Sequence, residues 1–356
     1  MLDTFHHVMQ TDDKNEQYFP FIEVSGNSYE MGFQHGEQAR NLIQKYLLLI
    51  ERLTGMSRDN LVSNAGGLLK YIEDLSPNLG QEIMGLADGA KISIDEAVLC
   101  QARAEAARSW DGGCTAFAIR GDATLDGNPL AGQNQDLQSE YSDVSIILKV
   151  SPTDGRPRAI MFTFAGQLGY SGMNEHGISH FANALYGFEW RVGLPHYPLK
   201  RLMLEQSTIE ECINLYKTHK VCSAANVILC GPNGDIADIE VRPDGVAEYV
   251  GARPDCRLHT NHYVTPEFEA FETNHLPDSP QRLDKMRQVI YSGWGKITVD
   301  YLKDMLANHE GYPSGICRHG SENLESISGY IAEPAQKRLH IRYGHGCNGT
   351  WTVYTL

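Results

Sequence analysis

From Tyr29 to Leu53 apolar side chains recur every three or four positions, at Ala39, Leu42, Ile43, Tyr46, Leu47 and Ile50. That is the period of an amphipathic helix. Ser28 precedes the run as N-cap, with Met31 three places on rather than the glutamate of a capping box. A second helix is predicted over Asn60 to Leu75, with Pro77 punctuating its end, and a third over Leu79 to Leu86. Ser93-Ile94-Asp95-Glu96 opens a fourth, which carries Cys100. Residues 26–108 thus read as helical, and the block closes at Trp110-Asp111-Gly112-Gly113.

At Cys114 the period changes. Thr115 to Ile119, Val144 to Val150 and Ala159 to Phe164 read as strands, separated by turn chemistry at Asp126-Gly127-Asn128-Pro129 and Asp154-Gly155. Further strands are predicted near Gly177 to Phe181, Ala225 to Leu229, Ile236 to Val241, Ala247 to Val250, Ser328 to Ala332, Arg338 to Tyr343 and Trp351 to Tyr354. Helical patterns fill Leu199 to Leu204, Ile209 to Tyr216, Arg282 to Ile290 and Val299 to Leu306. Strands clustered apart from helices indicate an α+β fold, not a strictly alternating parallel sheet.

Composition narrows the function. With 356 residues, 42% of them hydrophobic, the chain can bury a sizeable core, and length alone allows about two domains. The net charge is −15, and neither the first 113 residues nor the remainder is basic. Nucleic-acid binding and a cationic membrane patch are therefore not expected. No apolar run approaches the ~20 residues of a spanning helix. The first residues show no secretory signal and the last four no peroxisomal address, so a cytoplasmic location is expected. The eight cysteines include no CxxC pair; they read as reduced thiols, mostly buried.

Cys114 stands out because two glycines precede it at the helix-to-strand boundary. They leave the Gly113 carbonyl unhindered. A thiol beside such a carbonyl can attack it, and an N→S acyl shift followed by hydrolysis would split the chain before Cys114. The new α-amine, with a pKa near ~8, could then act as base for its own thiol. From spacing alone, a buried strand cysteine after a glycine turn is the commoner outcome. His259-Thr260-Asn261-His262 could offer two metal ligands, but no third stands at a characteristic spacing, so no metal is expected. Asn261 is the better candidate, as an amide donor to an oxyanion. Gln133-Asn134-Gln135-Asp136 would put a carboxylate on the strand beside Cys114, although it also reads as a strand-end turn. Gly32 and Gly36, four apart, permit close helix packing, and His35 between them could be catalytic but reads rather as a residue that caps or bonds a neighbouring backbone. Arg318, ending Tyr312-Pro313-Ser314-Gly315-Ile316-Cys317-Arg318, could bind a carboxylate, brace an oxyanion site, or form an ordinary surface salt bridge.

Six stretches together, MGFQHGEQAR from Met31, DGGCTAFAI from Asp111, AGQNQD from Ala131, NEHGIS from Asn174, HTNH from His259 and YPSGICR from Tyr312, resemble the acyl-coenzyme A:6-aminopenicillanic acid acyltransferase family of N-terminal-nucleophile cysteine hydrolases. The resemblance implies a four-layer αββα sandwich. It implies cleavage between Gly113 and Cys114 into a helical fragment, 1–113, and a strand-rich fragment, 114–356, that stay associated as one folded unit. It further implies Cys114 as nucleophile, Asp136 as the group fixing the new α-amine, Asn261 as oxyanion donor and Arg318 as a site arginine. Asn134, Thr115, His259 and His262 are candidates for supporting positions around them. Two departures stand out. Gln133 occupies a place held by arginine in choloylglycine-type hydrolases, and Ala225 falls where the fungal acyltransferase has serine.

The expected activity is cleavage or transfer of the acyl group of a small N-acyl amide or acyl thioester through a thioester on Cys114. No metal or organic cofactor is required. The alternatives are an unprocessed Cys–His hydrolase using His259 or His262, and a non-catalytic protein that keeps the fold.

Overall fold

The computed structural model describes residues 17–109, 112–320 and 324–356. Trp110 and Asp111, at the predicted end of the helical block, and the N-terminal stretch read for a signal lie outside the described residues. After strand β1 (Phe21–Gly26) come helices α1 (Ser28–Thr54), α2 (Arg58–Ala65), α3 (Leu68–Leu75), α4 (Pro77–Ala90), α5 (Ile94–Gln101) and α6 (Arg103–Ala107). The cap of α1 is Asn27, one residue earlier than predicted, and Glu30 completes a capping box with it. The helix predicted over Asn60 to Leu75 is two helices, broken at Gly66-Gly67, where glycine costs helix most. Pro77 starts α4 rather than ending a helix, with Ser76 accepting from the Leu79 amide.

Helices α1 and α4 meet backbone to backbone. A Cβ on Gly32 would lie 1.9 Å from the Glu82 carbonyl oxygen, and one on Gly85 2.0 Å from that of Tyr29. Gly36 and Gly89 repeat the arrangement one turn on. His35, beside Gly36, is buried and accepts from the Gly166 amide at 3.1 Å. It ties α1 to the loop after β5 and takes no part in the site around Cys114.

The strands form two sheets. One has eight strands in the order β1-β4-β5-β6-β7-β8-β9-β10, where β4 is Ser145–Pro152, β5 Ala159–Phe164, β6 Ser171–Asn174, β7 Ser179–Ala184, β8 Ala225–Cys230, β9 Ile236–Arg242 and β10 Gly245–Glu248. The other has six in the order β11-β2-β3-β12-β13-β14: β2 is Gly113–Ile119, β3 Leu130–Leu137, β11 Cys256–His259, β12 Glu325–Glu333, β13 Arg338–Tyr343 and β14 Thr350–Thr355. Sequence pattern missed β1 and β6: one is an edge strand with only two buried side chains, the other has four residues.

Both faces of β2 are buried, and alternation divides its side chains between two environments. Phe117 and Ile119 pack with Leu283 and Met286 of α9 (Ser279–Ser292) and Leu302 of α10 (Val299–Leu306). Ala116 and Ala118 join the core between the sheets. Helices α7 (His196–Met203) and α8 (Ile209–Thr218) cover the far side of the eight-stranded sheet through Leu199, Met203, Cys212 and Tyr216. There α1 lies against the same sheet, with Tyr46 stacked 5.6 Å from Phe164. The result is helices, sheet, sheet, helices, the expected αββα order. Among the described residues no helix is long and apolar enough to cross a membrane.

Candidate active site

Register places the predicted residues around one point. In the β2–β3 ladder Gly113 lies opposite Asp136, Cys114 opposite Gln135 and Thr115 opposite Asn134. So the Gln133–Asp136 stretch is strand, not turn. On the other side β11 pairs with β2 as far as His259 opposite Ala116, which carries Asn261 on to the start of β2. There the Cys114 amide donates to Asn261 Oδ1 at 2.8 Å, and Asn261 Nδ2 donates to the Ala184 carbonyl at 3.0 Å. The backbone just before the cysteine is held as well. Gly112 has φ +131°, a conformation open to glycine, and its carbonyl accepts from the Tyr186 hydroxyl at 2.8 Å.

The Cys114 thiol is buried and its pKa is pushed up to about 12, first by burial and then by the Asp136 charge; hydrogen bonding to Gln133 and to the Asp136 backbone opposes this more weakly. A thiol in that state is a poor nucleophile without a base. It faces a small cavity between the sheets, lined by Gly112, Arg103, Tyr170, Tyr197, Lys200 and Ala225 among others. About 20 Å³ of it is open, room for roughly one water. Lys200 Nζ lies 4.5 Å from the centre of the Tyr170 ring and 5.3 Å from that of Tyr197, and burial lowers its pKa to about 8. Arg103 donates to the Tyr141 hydroxyl at 2.7 Å. Roomier clefts of about 460 and 490 Å³ lie elsewhere and do not include Cys114.

Beneath β2, on the α9 side, is a layer of charge. Asp136 is fully buried; its Oδ1 accepts from Ser326 Oγ at 2.6 Å, while Oδ2 has no hydrogen-bond partner among the described residues. That free oxygen is the nearest atom, at 3.3 Å, to a Cβ built on Gly113. Burial raises the Asp136 pKa, against the pull of Arg318 and Arg282. Arg318 is buried, so it is not the surface salt bridge that sequence also allowed. Its guanidinium pairs with Asp278, and its amide donates to Ser326 Oγ at 2.9 Å.

Sequence reasoning passed over Arg282. It donates to the Cys114 carbonyl at 2.6 Å, to Thr115 Oγ1 at 3.0 Å and to Asn261 Oδ1 at 2.9 Å, and it pairs with Asp278 at 2.7 Å. The signal was there: Arg282 shares the buried stripe of α9 with Met286 and Ile290. An arginine at that spacing needs buried partners. Lys200 and Arg103, each inside a helix with buried neighbours, escaped for the same reason.

The other candidates have structural partners. Asn134 donates to the Leu306 and Ile316 carbonyls and accepts from Arg342, on the face of β3 away from the thiol. His259 uses both ring nitrogens, on Glu240 at 3.0 Å and on the Thr260 carbonyl at 2.9 Å. His262 Nδ1 bonds Ser279 Oγ at 2.8 Å.

Residues 124–346 match the profile of the acyl-coenzyme A:6-aminopenicillanic acid acyl-transferase family. The chain belongs to that family. Family membership makes it an enzyme of the acyl-transferase type. The 40 kDa form of acyl-coenzyme A:6-aminopenicillanic-acid-acyltransferase from Emericella nidulans is 25% identical over 343 residues, covering 92% of this chain and 93% of that one. Among solved structures, penicillin V acylase from Agrobacterium tumefaciens is similar with a TM-score of 0.48 at 10% identity, over 68% of this chain and 86% of that chain. A single-residue variant of conjugated bile acid hydrolase from Clostridium perfringens gives 0.46 at 12% identity, over 68% and 97%.

Proposed function

We propose that this family member is a self-processing cysteine amidohydrolase or acyltransferase with Cys114 as nucleophile. One observation carries the reading. The Cys114 amide, which a cut would turn into an α-amine, is held by Asn261 Oδ1, while a buried, unpartnered carboxylate oxygen of Asp136 waits beside Gly113. An unpaired buried carboxylate oxygen is costly, and an ammonium placed where the Gly113–Cys114 peptide runs would satisfy it.

In the first reaction Cys114 Sγ attacks the Gly113 carbonyl carbon. The C–S bond forms, the C–N bond breaks, and the departing Cys114 nitrogen takes the thiol proton. Water then hydrolyses the thioester, leaving a Gly113 carboxylate and regenerating the thiol. In the second, the α-amine takes the thiol proton and Sγ attacks the substrate acyl carbon. Asn261 Nδ2, with a second N–H beyond the one given to Ala184, and a backbone amide stabilise the oxyanion. The leaving amine, or the thiol of a thioester donor, departs with the proton. Water or a second amine releases the acyl group. No cofactor enters either reaction.

Because Gly112 forms part of the cavity wall, withdrawal of residues 112 and 113 after the cut enlarges a space that otherwise holds about one water. The intact chain is thus a closed precursor. Lys200 and Arg103 on the cavity wall favour a substrate with an anionic group near the scissile bond. His259 and His262 already have partners, which weighs against an unprocessed Cys–His enzyme.

A denaturing gel with intact-mass measurement tests the proposal. Fragments of 113 and 243 residues are expected, and Cys114→Ala should leave one intact chain. A wild-type chain that stays whole yet hydrolyses amides through Cys114 would defeat the self-processing mechanism. A panel of N-acyl amines, acyl-amino acids and β-lactams, each with and without a free carboxylate, identifies the substrate class.

A further inference from the structure

Away from the Cys114 cavity, four side chains from three chain segments point at one another. His309 follows α10, Cys317 and His319 precede β12, and Cys347 lies in the turn between β13 and β14. Their ligand atoms, two imidazole nitrogens and two sulfurs, all lie within 4.8 Å of one another. His309 Nε2 is 2.9 Å from His319 Nε2, and Cys347 Sγ is 3.5 Å from the same nitrogen. We propose that these four residues form a tetrahedral zinc site.

The separations come near those that a zinc ion imposes, with the widest, up to 4.8 Å, closing by about 1 Å on binding. Zinc takes nitrogen at ~2.0–2.1 Å and sulfur at ~2.3 Å, which sets tetrahedral edges of roughly 3.3 Å between nitrogens and 3.8 Å between sulfurs. Two thiolates with two imidazoles are a donor set that zinc favours over hard cations. Facing imidazole nitrogens can share only one proton, and that leaves the sulfur directed at the same point unexplained; a cation there satisfies all four ligands. Binding converts two thiols to thiolates, releases their two protons to water, and leaves the centre with no net charge. Four protein ligands leave no open position, so the site is structural rather than catalytic.

Protein contacts bring the ligand-bearing segments together. The Cys317 amide donates to the Asn308 carbonyl at 2.9 Å. The 344–349 turn is pressed against the end of α10, where a Cβ on Gly346 would lie 2.4 Å from the Leu306 carbonyl oxygen. The His345 ring stacks on His319 at 4.8 Å and bonds Glu325 at 3.2 Å. Arg318 lies between two ligands, so the ion would fix the segment that delivers its guanidinium to Asp278. Sequence spacing conceals the set, because the ligands are scattered from position 309 to 347 with no CxxC or HxxH pair among them.

Elemental analysis of the full chain, purified with reductant and without chelator, should find about one zinc per chain. Cys347→Ser, at an exposed position unlike buried Cys317, should lower that at least about tenfold. Chelator should lower the melting temperature of the wild type but not of this variant. Cobalt(II) added to the apo-protein should give a thiolate charge-transfer band that Cys317→Ser abolishes. Reduced protein that takes up neither zinc nor cobalt would overturn the site. So would uptake unchanged in Cys317→Ser and His309→Ala, or a Cys317–Cys347 disulfide that reduction does not convert to a metal-binding form. None of these readouts depends on the chemistry at Cys114.

Discussion

Arg282 gathers several tasks into one guanidinium. Its fork spans the Cys114 carbonyl, the Thr115 hydroxyl and the side-chain Oδ1 of Asn261, while Asp278 balances its charge. The donor geometry is planar and fixed, which lysine does not reproduce. Arg282→Ala should therefore slow both chain cleavage and amide turnover by at least about 10²-fold, the scale of a lost donor that orients the oxyanion site. Millimolar guanidinium should restore part of the rate, and Arg282→Lys should restore less than guanidinium does. The time course of precursor loss on a gel, with and without guanidinium, gives the answer. A purely structural arginine would show a lowered melting temperature and no rescue.

Between elements, the closest contact is α1 against α4. Where Gly85 meets the Tyr29 carbonyl at 2.0 Å from any added Cβ, Gly85→Ala forces the helices apart. The cost should be on the order of 1–3 kcal/mol, lowering the melting temperature by roughly 2–6 °C. Gly67→Ala is the control. That residue has φ −81° and nothing among the described residues within reach of a new Cβ, so the variant's melting temperature should stay level or rise slightly.

The glycines of MGFQHGEQAR were readable as a packing motif because helical spacing alone puts Gly32 and Gly36 on one face. The strand from Ala159 to Phe164 was equally plain as a dense apolar run, and that from Arg338 to Tyr343 through the alternation of Leu339, Ile341 and Tyr343 with polar residues. Partnership between distant segments was not readable. Nothing in Asp278, Arg282 or Ser326 alone says that they meet beneath Gly113, because β12 reaches β3 only through the sheet order. The same limit hid Cys317 and Cys347 among the apparently ordinary thiols. Cys114 drew attention as a candidate nucleophile through a local signal, two glycines before a cysteine at a change of period, although spacing alone favoured a buried strand cysteine and the family resemblance turned the reading.

At the scale of the whole molecule the two sheets are joined by a buried charge. His259 of β11 bonds Glu240 of β9 at 3.0 Å, with both side chains fully buried. Burial alone would push the His259 pKa down, but Asp238 and Glu240 outweigh it and hold it up at about 9. A histidine whose pKa is higher in the folded state stabilises fully below its unfolded value of ~6.5, and that contribution is lost as pH rises through about 9. Asp238, raised to about 7 by burial, acts in the same direction at lower pH. The melting temperature of the wild type should therefore fall across pH 6.5 to 9, and that slope should be flatter in His259→Gln. Equal slopes in the two proteins, read by calorimetry, would remove His259 as the cause.

Strand β1 belongs to the segment before Cys114, yet it is the parallel edge partner of β4. A cut at Gly113–Cys114 would turn an intramolecular pairing into an encounter between two molecules. In the uncut chain the tether supplies a high effective concentration; afterwards, unfolding would let the halves drift apart, and recovery would depend on dilution. The same event that frees the nucleophile would thus give the protein a direction in time. It would fold once as a single chain, and its lifetime as an enzyme would then be set by how seldom it opens.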